Sequence, residues 1–218
     1  MGEPKASVKL WIVGSIGFDD IKTRNADRKN LLGGSVPYSS VAASFFARTG
    51  AVGVVGDDFP TAFELRWKGF GIDLAGVQHQ AGDTFRWACE YDENMIERTT
   101  LKTELGVFAA FMPELPAGYR AAPFVLLGNI QPELQMHVLK QAQGAKFIAL
   151  DTMNLWIEIA RPALLKVIRR VDLLTINDGE ARQLTGKWNL RACAEAIFKL
   201  GPRYVVIKKG EHGALLFS

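Results

Sequence analysis

Residues 171–186 read VDLLTINDGEARQLTG and carry the strongest structural signal in the chain. An apolar run of strand length leads to Asn177, Asp178 and Glu180, which open a helical segment that ends at Gly186. A strand that runs directly into a helix is the repeating unit of parallel α/β sheets. In such sheets, ligands bind beyond the carboxyl ends of the strands, where helix N-termini offer unpaired N–H groups to phosphates. The stretch therefore predicts an α/β fold with a ligand site at this junction.

The same strand-to-helix junction recurs along the chain. Further apolar runs lead into glycine or polar residues at 11–13, 52–55, 124–127, 147–150 and 205–207. Helical patterns lie between them, at 35–48, 60–69, 132–143, 161–170 and 190–200. This alternation predicts one main domain with a mostly parallel central sheet and helices on both of its faces. The carboxyl ends of the strands would then form one polar rim.

Two stretches interrupt this pattern and predict a small β lid, with strands expected within residues 17–32 and 83–103. The second stretch is typical of a hairpin, because alternate residues would share one face, namely Phe85, Trp87, Cys89 and Tyr91. Met95 and Ile96 would begin the return strand. A sheet of this kind over the rim would exclude water from a reaction centre. The alternative is a sheet edge that pairs with a second copy of the chain, which makes a homodimer through the lid an open hypothesis.

Composition and charge argue against several classes of function. The chain has 218 residues, and 26 Lys+Arg against 23 Asp+Glu leave a net charge of +3, a weak field for binding nucleic acid. No apolar run approaches the ~20 residues of a membrane helix, and the N-terminus is too polar for a signal peptide. Cys89 and Cys193 stand far apart without a CxxC pair, which argues against zinc and against a disulfide framework. We expect a soluble, cytoplasmic protein without nucleic-acid or membrane partners.

Five motifs carry a resemblance to a known family, whereas P-loop, dinucleotide-binding, serine-hydrolase and zinc-protease motifs are absent. In chain order the five are Gly33-Gly34 at a helix start, the small-residue tail of that helix up to Gly50, Gly53-x-x-Gly56-Asp57-Asp58, Asn177-x-x-Glu180 and Lys208-Lys209-Gly210-x-x-Gly213. In this order and spacing they resemble the ribokinase-like (PfkB) carbohydrate kinases over the whole chain. The resemblance implies a three-layer α/β sandwich with a mostly parallel central sheet and a small β lid. It also implies a phosphotransferase that moves the γ-phosphate of ATP to a hydroxymethyl group of a small sugar, with a nucleoside as the alternative acceptor.

The resemblance also implies the residues of the acceptor site. Asp19 takes the position of the family's substrate-binding aspartate, whose carboxylate would accept hydrogen bonds from two hydroxyl groups. Gly33 and Gly34 match the diglycine that lets the backbone approach the sugar. Tyr38 stands where the family usually has an asparagine, so an aromatic contact would replace a polar one. Asn129, which follows another strand on the polar rim, is assigned to the same site.

The cofactors implied by the resemblance are ATP and Mg²⁺. Asn177 and Glu180 match the family's NxxE motif, which organises the metal, its waters and the triphosphate, with Glu180 acting through water. Lys208 and Gly210 fall where the family's nucleotide-binding loop follows a strand. The alternative role for Asn177 and Glu180 is helix capping with an acidic first turn.

The family's glycine-rich anion hole and catalytic aspartate have no counterpart up to Ser218. We therefore expect residues 1–218 to be an incomplete kinase domain whose C-terminal part is missing, with no catalytic residue in this chain and no activity alone. Asp57, Asp58 and Asp151 are alternative bases, but turns and helix caps are their expected roles. Two further hypotheses are a non-catalytic ligand-binding module and a subunit that borrows the anion hole from a partner chain.

Aromatic side chains make a nucleoside a serious rival to a free sugar. Phe85 and Trp87 of the predicted lid and Tyr38 at the helix start would provide flat surfaces for a base, while Asp19 binds the ribose. Aromatic contacts of this kind add about 0.5–1.5 kcal/mol beyond area burial. Phe18 belongs to the same hypothesis, with core packing as its alternative role.

Overall fold

The computed structural model describes residues 7–95 and 98–218. The chain divides into two compact units, the first ending at Pro116 and the second beginning at Ala117. Met95 and Ile96 are predicted to begin the return strand of the hairpin, but Met95 lies in the turn, where its N–H donates to the Asp92 carbonyl at 3.1 Å, and Ile96 lies outside the described residues. Across the described residues, no helix is both long enough and apolar enough to cross a membrane.

The first unit contains parallel-sheet strands and a separate four-stranded sheet whose two outer strands pair antiparallel with their neighbours. Its strands are β1 (Leu10–Val13), β2 (Gly17–Lys22), β3 (Asp27–Gly33), β4 (Thr49–Val55), β5 (Asp73–His79), β6 (Phe85–Tyr91) and β7 (Arg98–Glu104). Its α-helices are α1 (Ser35–Ser44) and α2 (Thr61–Gly69). Strands β1, β4 and β5 pair in parallel in that order. The other four strands form the second sheet in the order β3-β2-β6-β7.

The core of the first unit lies around β1 and β4. All seven residues of β4 are buried, which explains why its sequence, TGAVGVV, has no polar alternation. Trp11 of β1 and Trp67 of α2 are almost fully buried, and the Phe59 ring packs against the Trp67 ring, with 5.8 Å between their centroids. Large aromatic rings therefore fix α2 against the sheet, since each buries a large apolar area.

The four-stranded sheet occupies the ranges in which the sequence predicts lid strands. β2 pairs in parallel with β6, with Asp19 opposite Trp87, while β3 and β7 pair antiparallel on the two outer sides. All seven residues of β7 are exposed, so apolar alternation is absent there and only the turn signal marks this strand in the sequence. We refer to these four strands as the lid sheet, and its action as a lid remains a prediction.

The second unit follows the predicted strand–helix alternation. Its strands are β8 (Phe124–Leu127), β9 (Phe147–Asp151), β10 (Leu173–Asn177), β11 (Tyr204–Lys208) and β12 (Ala214–Phe217). Its α-helices are α3 (Pro132–Leu139), α4 (Asn154–Ile159), α5 (Arg161–Ile168), α6 (Asp178–Thr185) and α7 (Leu190–Phe198). The strand order is β12-β11-β10-β9-β8, all parallel except β12, which pairs antiparallel with β11. The predicted α/β class with a mostly parallel sheet is confirmed.

Candidate active site

The acceptor part of the predicted site lies in the first unit, where Asp19 of β2 packs directly against Gly33 of β3. A Cβ atom at Gly33 would overlap the Asp19 carboxylate, so glycine leaves the space that this side chain occupies. Burial, followed by repulsion from Asp20, raises the pKa of Asp19 to about 6. The arrangement holds a half-buried carboxyl group that is ionised at neutral pH, a form that can accept hydrogen bonds from hydroxyl groups.

Gly34 turns the chain from β3 into α1. Its φ of 96° lies in the left-handed region, and a Cβ atom there would overlap the Ser15 carbonyl. The Ser15 and Ser35 hydroxyls each accept a hydrogen bond from the other residue's N–H at 3.2 Å, and the Val36 N–H donates to the Ser15 carbonyl at 3.1 Å. The diglycine is therefore fixed to the loop that follows β1.

Tyr38 and Trp87 present aromatic surface in this unit. Tyr38 is 66% exposed, and its hydroxyl donates to the Leu32 carbonyl at 2.6 Å, which orients the ring beside the diglycine. Trp87 is paired in register with Asp19, so the two side chains share one face of the lid sheet. The Trp87 indole N–H donates to the Thr100 hydroxyl at 3.2 Å. Both rings are held by hydrogen bonds at their polar ends.

The other two predicted aromatic residues are engaged in packing. Phe18 is only 3% exposed and lies 5.8 Å from the Phe59 ring, which is the core role that the sequence left open. Phe85 is partly exposed and lies 5.5 Å from the Phe108 ring. The aromatic surface available to a ligand therefore comes chiefly from Tyr38 and Trp87.

Two of the three aspartates considered as alternative bases, Asp57 and Asp58, lie in this unit and hold structural contacts. Asp57 accepts from the Gly82 N–H at 3.0 Å. Asp58 accepts from the Thr84 N–H at 2.7 Å and pairs with Arg86 at 3.1 Å. Burial alone would raise the pKa of Asp58, but the Thr84 and Arg86 contacts together hold it below its ordinary value. These contacts match the turn-forming role that the sequence predicts for both aspartates.

The nucleotide part of the predicted site lies in the second unit, at the ends of β10 and β11. Asn177 and Lys208 are register partners on these adjacent parallel strands. Asn177 is also the N-cap of α6, where its side chain accepts from the Glu180 N–H at 2.7 Å and its own N–H donates to Glu180 at 2.9 Å. The motif therefore forms a capping box, the alternative role considered from the sequence.

Asp151 joins this cluster, and the sequence did not identify it as a partner of Lys208. The Lys208 ammonium donates to Asp151 Oδ1 at 2.8 Å. Glu180 is 8% exposed, and burial raises its pKa although its bond with Asn177 and the charge of Lys208 oppose the shift. The available signal was position, because Asp151, Asn177 and Lys208 each end a parallel strand. Two carboxylates and one ammonium thus converge at this end of the sheet.

Asn129 and Gly210 occupy other places in the second unit. The side-chain oxygen of Asn129 accepts from the Trp156 indole N–H at 2.7 Å, and its side-chain nitrogen donates to the Met153 sulfur at 3.0 Å. Gly210, with φ of 57°, begins the turn between β11 and β12. Asn129 therefore belongs to the unit that carries the predicted nucleotide residues, whereas Asp19, Gly33, Gly34 and Tyr38 belong to the other.

The donor set of the second unit suits a phosphate and a hard cation. Lys208 supplies a positive charge, and Asp151 and Glu180 supply carboxylate oxygens of the kind that Mg²⁺ prefers. Within residues 7–95 and 98–218, no group of three or more His, Cys, Asp and Glu side chains is placed to hold a metal ion.

Comparison with known proteins connects these features to a family. The profile described as "pfkB family carbohydrate kinase" matches residues 12–218. A cytidine kinase of Thermococcus kodakarensis is 28% identical over 215 residues, which cover 96% of this chain and 76% of that protein.

Solved structures agree on the fold. Ribokinase of Arabidopsis thaliana, solved with ribose and ATP, superposes with a TM-score of 0.74 at 22% identity, covering 97% of this chain and 75% of its own. A nucleoside kinase of Methanocaldococcus jannaschii gives a TM-score of 0.74 at 17% identity, covering 97% and 74%. The resemblance derived from the five motifs is confirmed.

Proposed function

The chain belongs to the pfkB family of carbohydrate kinases, and we propose that its acceptor is a nucleoside, phosphorylated on the hydroxymethyl group of its ribose. The observation that carries this proposal is the placement of Trp87 in register with Asp19. Asp19 would accept hydrogen bonds from two ribose hydroxyls beside Gly33, while the base lies against aromatic rings. The similarity to a cytidine kinase supports the same choice.

Asp19 binds in its ionised form. A carboxylate accepts two hydroxyl hydrogen bonds, whereas the protonated acid offers one acceptor fewer and would compete as a donor. Since the pKa of Asp19 is about 6, the site is mostly ionised at neutral pH and loses its charge in mild acid. The absence of a side chain at Gly33 leaves room for the carboxylate in this position.

The phosphate donor is ATP, bound in the second unit. Lys208 would pair with a phosphate group in place of Asp151, and Glu180 would act on Mg²⁺ through water, since its buried carboxylate already caps α6. Magnesium keeps several of its waters and takes phosphate oxygens as ligands, so few direct protein ligands are required. When bound, the metal neutralises charge that develops on the transferred phosphoryl group.

We do not expect Asp57 or Asp58 to be the base that receives the acceptor proton. A base must reach the reacting hydroxyl, and both carboxylates are already bound to backbone N–H groups. The family resemblance instead places the base in a glycine-rich segment that residues 1–218 do not contain. We expect this chain to bind its ligands without turning them over, in the cytoplasm where ATP is available.

Calorimetry with cytidine, adenosine, ribose and fructose tests the acceptor. We expect the nucleosides to bind. Tyr38→Ala should lower their affinity about threefold to tenfold, since one aromatic contact contributes about 0.5–1.5 kcal/mol. Phe46→Ala is the matched control, because Phe46 is a 92% exposed ring of the same unit that belongs to no predicted site. A preference for the free sugars that Tyr38→Ala leaves unchanged would exclude the nucleoside.

A further inference from the structure

We propose that Arg86 is a positioning residue that holds Asp19 in its binding geometry from the opposite face of the lid sheet. The proposal rests on the proposed function in one respect, the role of Asp19 in binding the acceptor. Its structural basis is a network of hydrogen bonds and one cation–π contact that links both chain neighbours of Asp19, Phe18 and Asp20, to the loop after β4.

Arg86 lies on β6, and its guanidinium contacts three other elements. One nitrogen donates to Asp58 Oδ2 at 3.1 Å, in the loop after β4, and another donates to Asn30 Oδ1 at 2.6 Å, on β3. The guanidinium carbon stands 4.6 Å from the centroid of the Phe18 ring, on β2, within the range of a cation–π interaction. A single side chain therefore joins three strands of the lid sheet to the parallel-sheet part of the unit.

Asn30 extends the network to the residue after Asp19. The Asn30 N–H donates to Asp20 Oδ1 at 2.8 Å, and the φ of Asn30 is 55°, in the left-handed region. A non-glycine residue in this region is held there by its surroundings, here by bonds through both its backbone and its side chain. Asp20 is thereby linked to Arg86 through Asn30.

Asp19 and Arg86 lie on opposite faces of the lid sheet. β2 and β6 pair with Phe18 opposite Arg86 and Asp19 opposite Trp87. Because alternate residues of a strand point to opposite faces, Phe18 and Asp20 lie on the face of Arg86, and Asp19 points to the other face. Fixing both neighbours of Asp19 fixes the backbone that carries its carboxylate, without any contact between Arg86 and the acceptor.

The network needs the geometry of a guanidinium. Two separate nitrogens bind acceptors on two different elements, Asn30 on β3 and Asp58 in the loop after β4, while the guanidinium lies over the Phe18 ring. A lysine ammonium is a single point charge and cannot reproduce this fork. The anchor is itself held, because Asp58 also accepts from the Thr84 N–H, just before β6.

The test is the titration of Asp19, measured by NMR on its side-chain carboxyl carbon in the 218-residue chain. If Arg86→Gln loosens β2, water reaches the carboxyl group, and its pKa falls from about 6 by about one unit toward the ordinary value. If Arg86→Gln removed the positive charge without moving β2, the pKa of Asp19 would rise instead. Asp20 and Cys89, which interact electrostatically with Asp19, are not substituted in the variant.

Two further variants complete the experiment. Asn30→Gly removes the hydrogen bond between Arg86 and the Asn30 side chain without changing any charge, and glycine adopts the φ of residue 30 without strain. This variant must therefore lower the pKa of Asp19 as well. If Arg86→Gln does not fold, Asn30→Gly alone tests the proposal. Arg98→Gln is the matched control, since Arg98 lies over the Trp87 ring of the same sheet, 5.6 Å from its centroid, outside the network. An unchanged or raised pKa in Asn30→Gly, or an equal fall in Arg98→Gln, would overturn the proposal.

Calorimetry then separates this proposal from the proposed function. In a chain that binds cytidine, Arg86→Gln and Arg86→Lys should weaken binding about tenfold, the range expected when a charge-assisted contact is misplaced. If none of the four acceptors binds to the unmodified chain, the proposed function fails, while the titration still decides whether Arg86 positions Asp19.

Discussion

At the scale of single residues, the partial burial of Asp19, whose carboxylate is proposed to bind the acceptor, should lower the stability of the folded chain at neutral pH. Its folded-state pKa, about 6, lies above the ordinary value for aspartate, so the folded chain holds its proton more tightly than the unfolded chain. Stability should therefore fall as pH rises from about 4 to about 6, because the folded state must then ionise a partly buried group. Acceptor binding should rise over the same window.

Asp19→Asn is expected to uncouple these two effects. The variant should lose acceptor binding by at least tenfold, since a charge-assisted acceptor is replaced by an amide. At pH 7 it should be more stable than the parent, on the order of 1 kcal/mol after allowing for solvent screening of this half-buried group. Thermal unfolding and calorimetry at pH 5 and pH 7 measure both, and Asp27→Asn, at an exposed position of β3, is the control. A variant that is less stable at pH 7 would contradict the assignment of burial as the cause.

Asn177 and Glu180 can be separated into a capping role and a cofactor role. Glu180→Gln keeps an acceptor for the Asn177 N–H, so the capping box and the unfolding temperature should be retained. Its affinity for ATP with Mg²⁺ should nevertheless fall about tenfold, because the charge near the metal is lost. Asn177→Ala should instead destabilise the chain by about 1 kcal/mol through loss of the cap. Unchanged nucleotide affinity in Glu180→Gln would leave only the capping role.

At the scale of elements, the sequence predicted the strand-to-helix junctions well because each is a local event. The run that ends at Asn177 became β10, and the capping residues then started α6 and Gly186 closed it with φ of 67°. Contacts between distant residues were not recoverable in the same way. Neither the pairing of Lys208 with Asp151 nor that of Arg86 with Asn30 leaves a periodic signal, since both depend on strand order and register.

The lid sheet is the element on which the predicted homodimer depends. All seven residues of its outer strand β7 are exposed, among them Leu101 at 56%. The strand also carries Arg98, Lys102 and Glu104, and charged residues of this kind discourage uncontrolled edge pairing. If two copies pair through this sheet, sedimentation should give twice the chain mass, and Leu101→Lys should restore the monomer. Leu65→Lys, at a 62% exposed position of α2, is the control. A monomeric parent chain would exclude this interface.

At the scale of the whole molecule, the two units carry different parts of the predicted chemistry. Residues that match the family's acceptor motif, Asp19 and Gly33 among them, lie before Pro116, and those that match its nucleotide motif, such as Glu180, lie after it. The sequence predicts both sets because the diglycine and the Asn177-x-x-Glu180 motif are short and local, and the roles of these residues stay predictions. It could not choose between capping and metal binding at Glu180, since both use the same residue at the start of a helix.

Binding and turnover should separate in this chain. The first unit offers the Asp19 carboxylate, which is proposed to bind the acceptor, and the second offers Lys208 and Glu180, so both ligands are expected to bind. Transfer additionally requires a base and donors for the developing phosphate charge, and one such donor alone is typically worth roughly 3 kcal/mol of transition-state stabilisation. A coupled assay with cytidine, ATP and Mg²⁺ should therefore give no turnover above background while calorimetry detects both ligands. Turnover that disappears in Asp57→Asn, Asp58→Asn or Asp151→Asn would identify that aspartate as the base and show that its hydrogen bonds rearrange when the ligands bind.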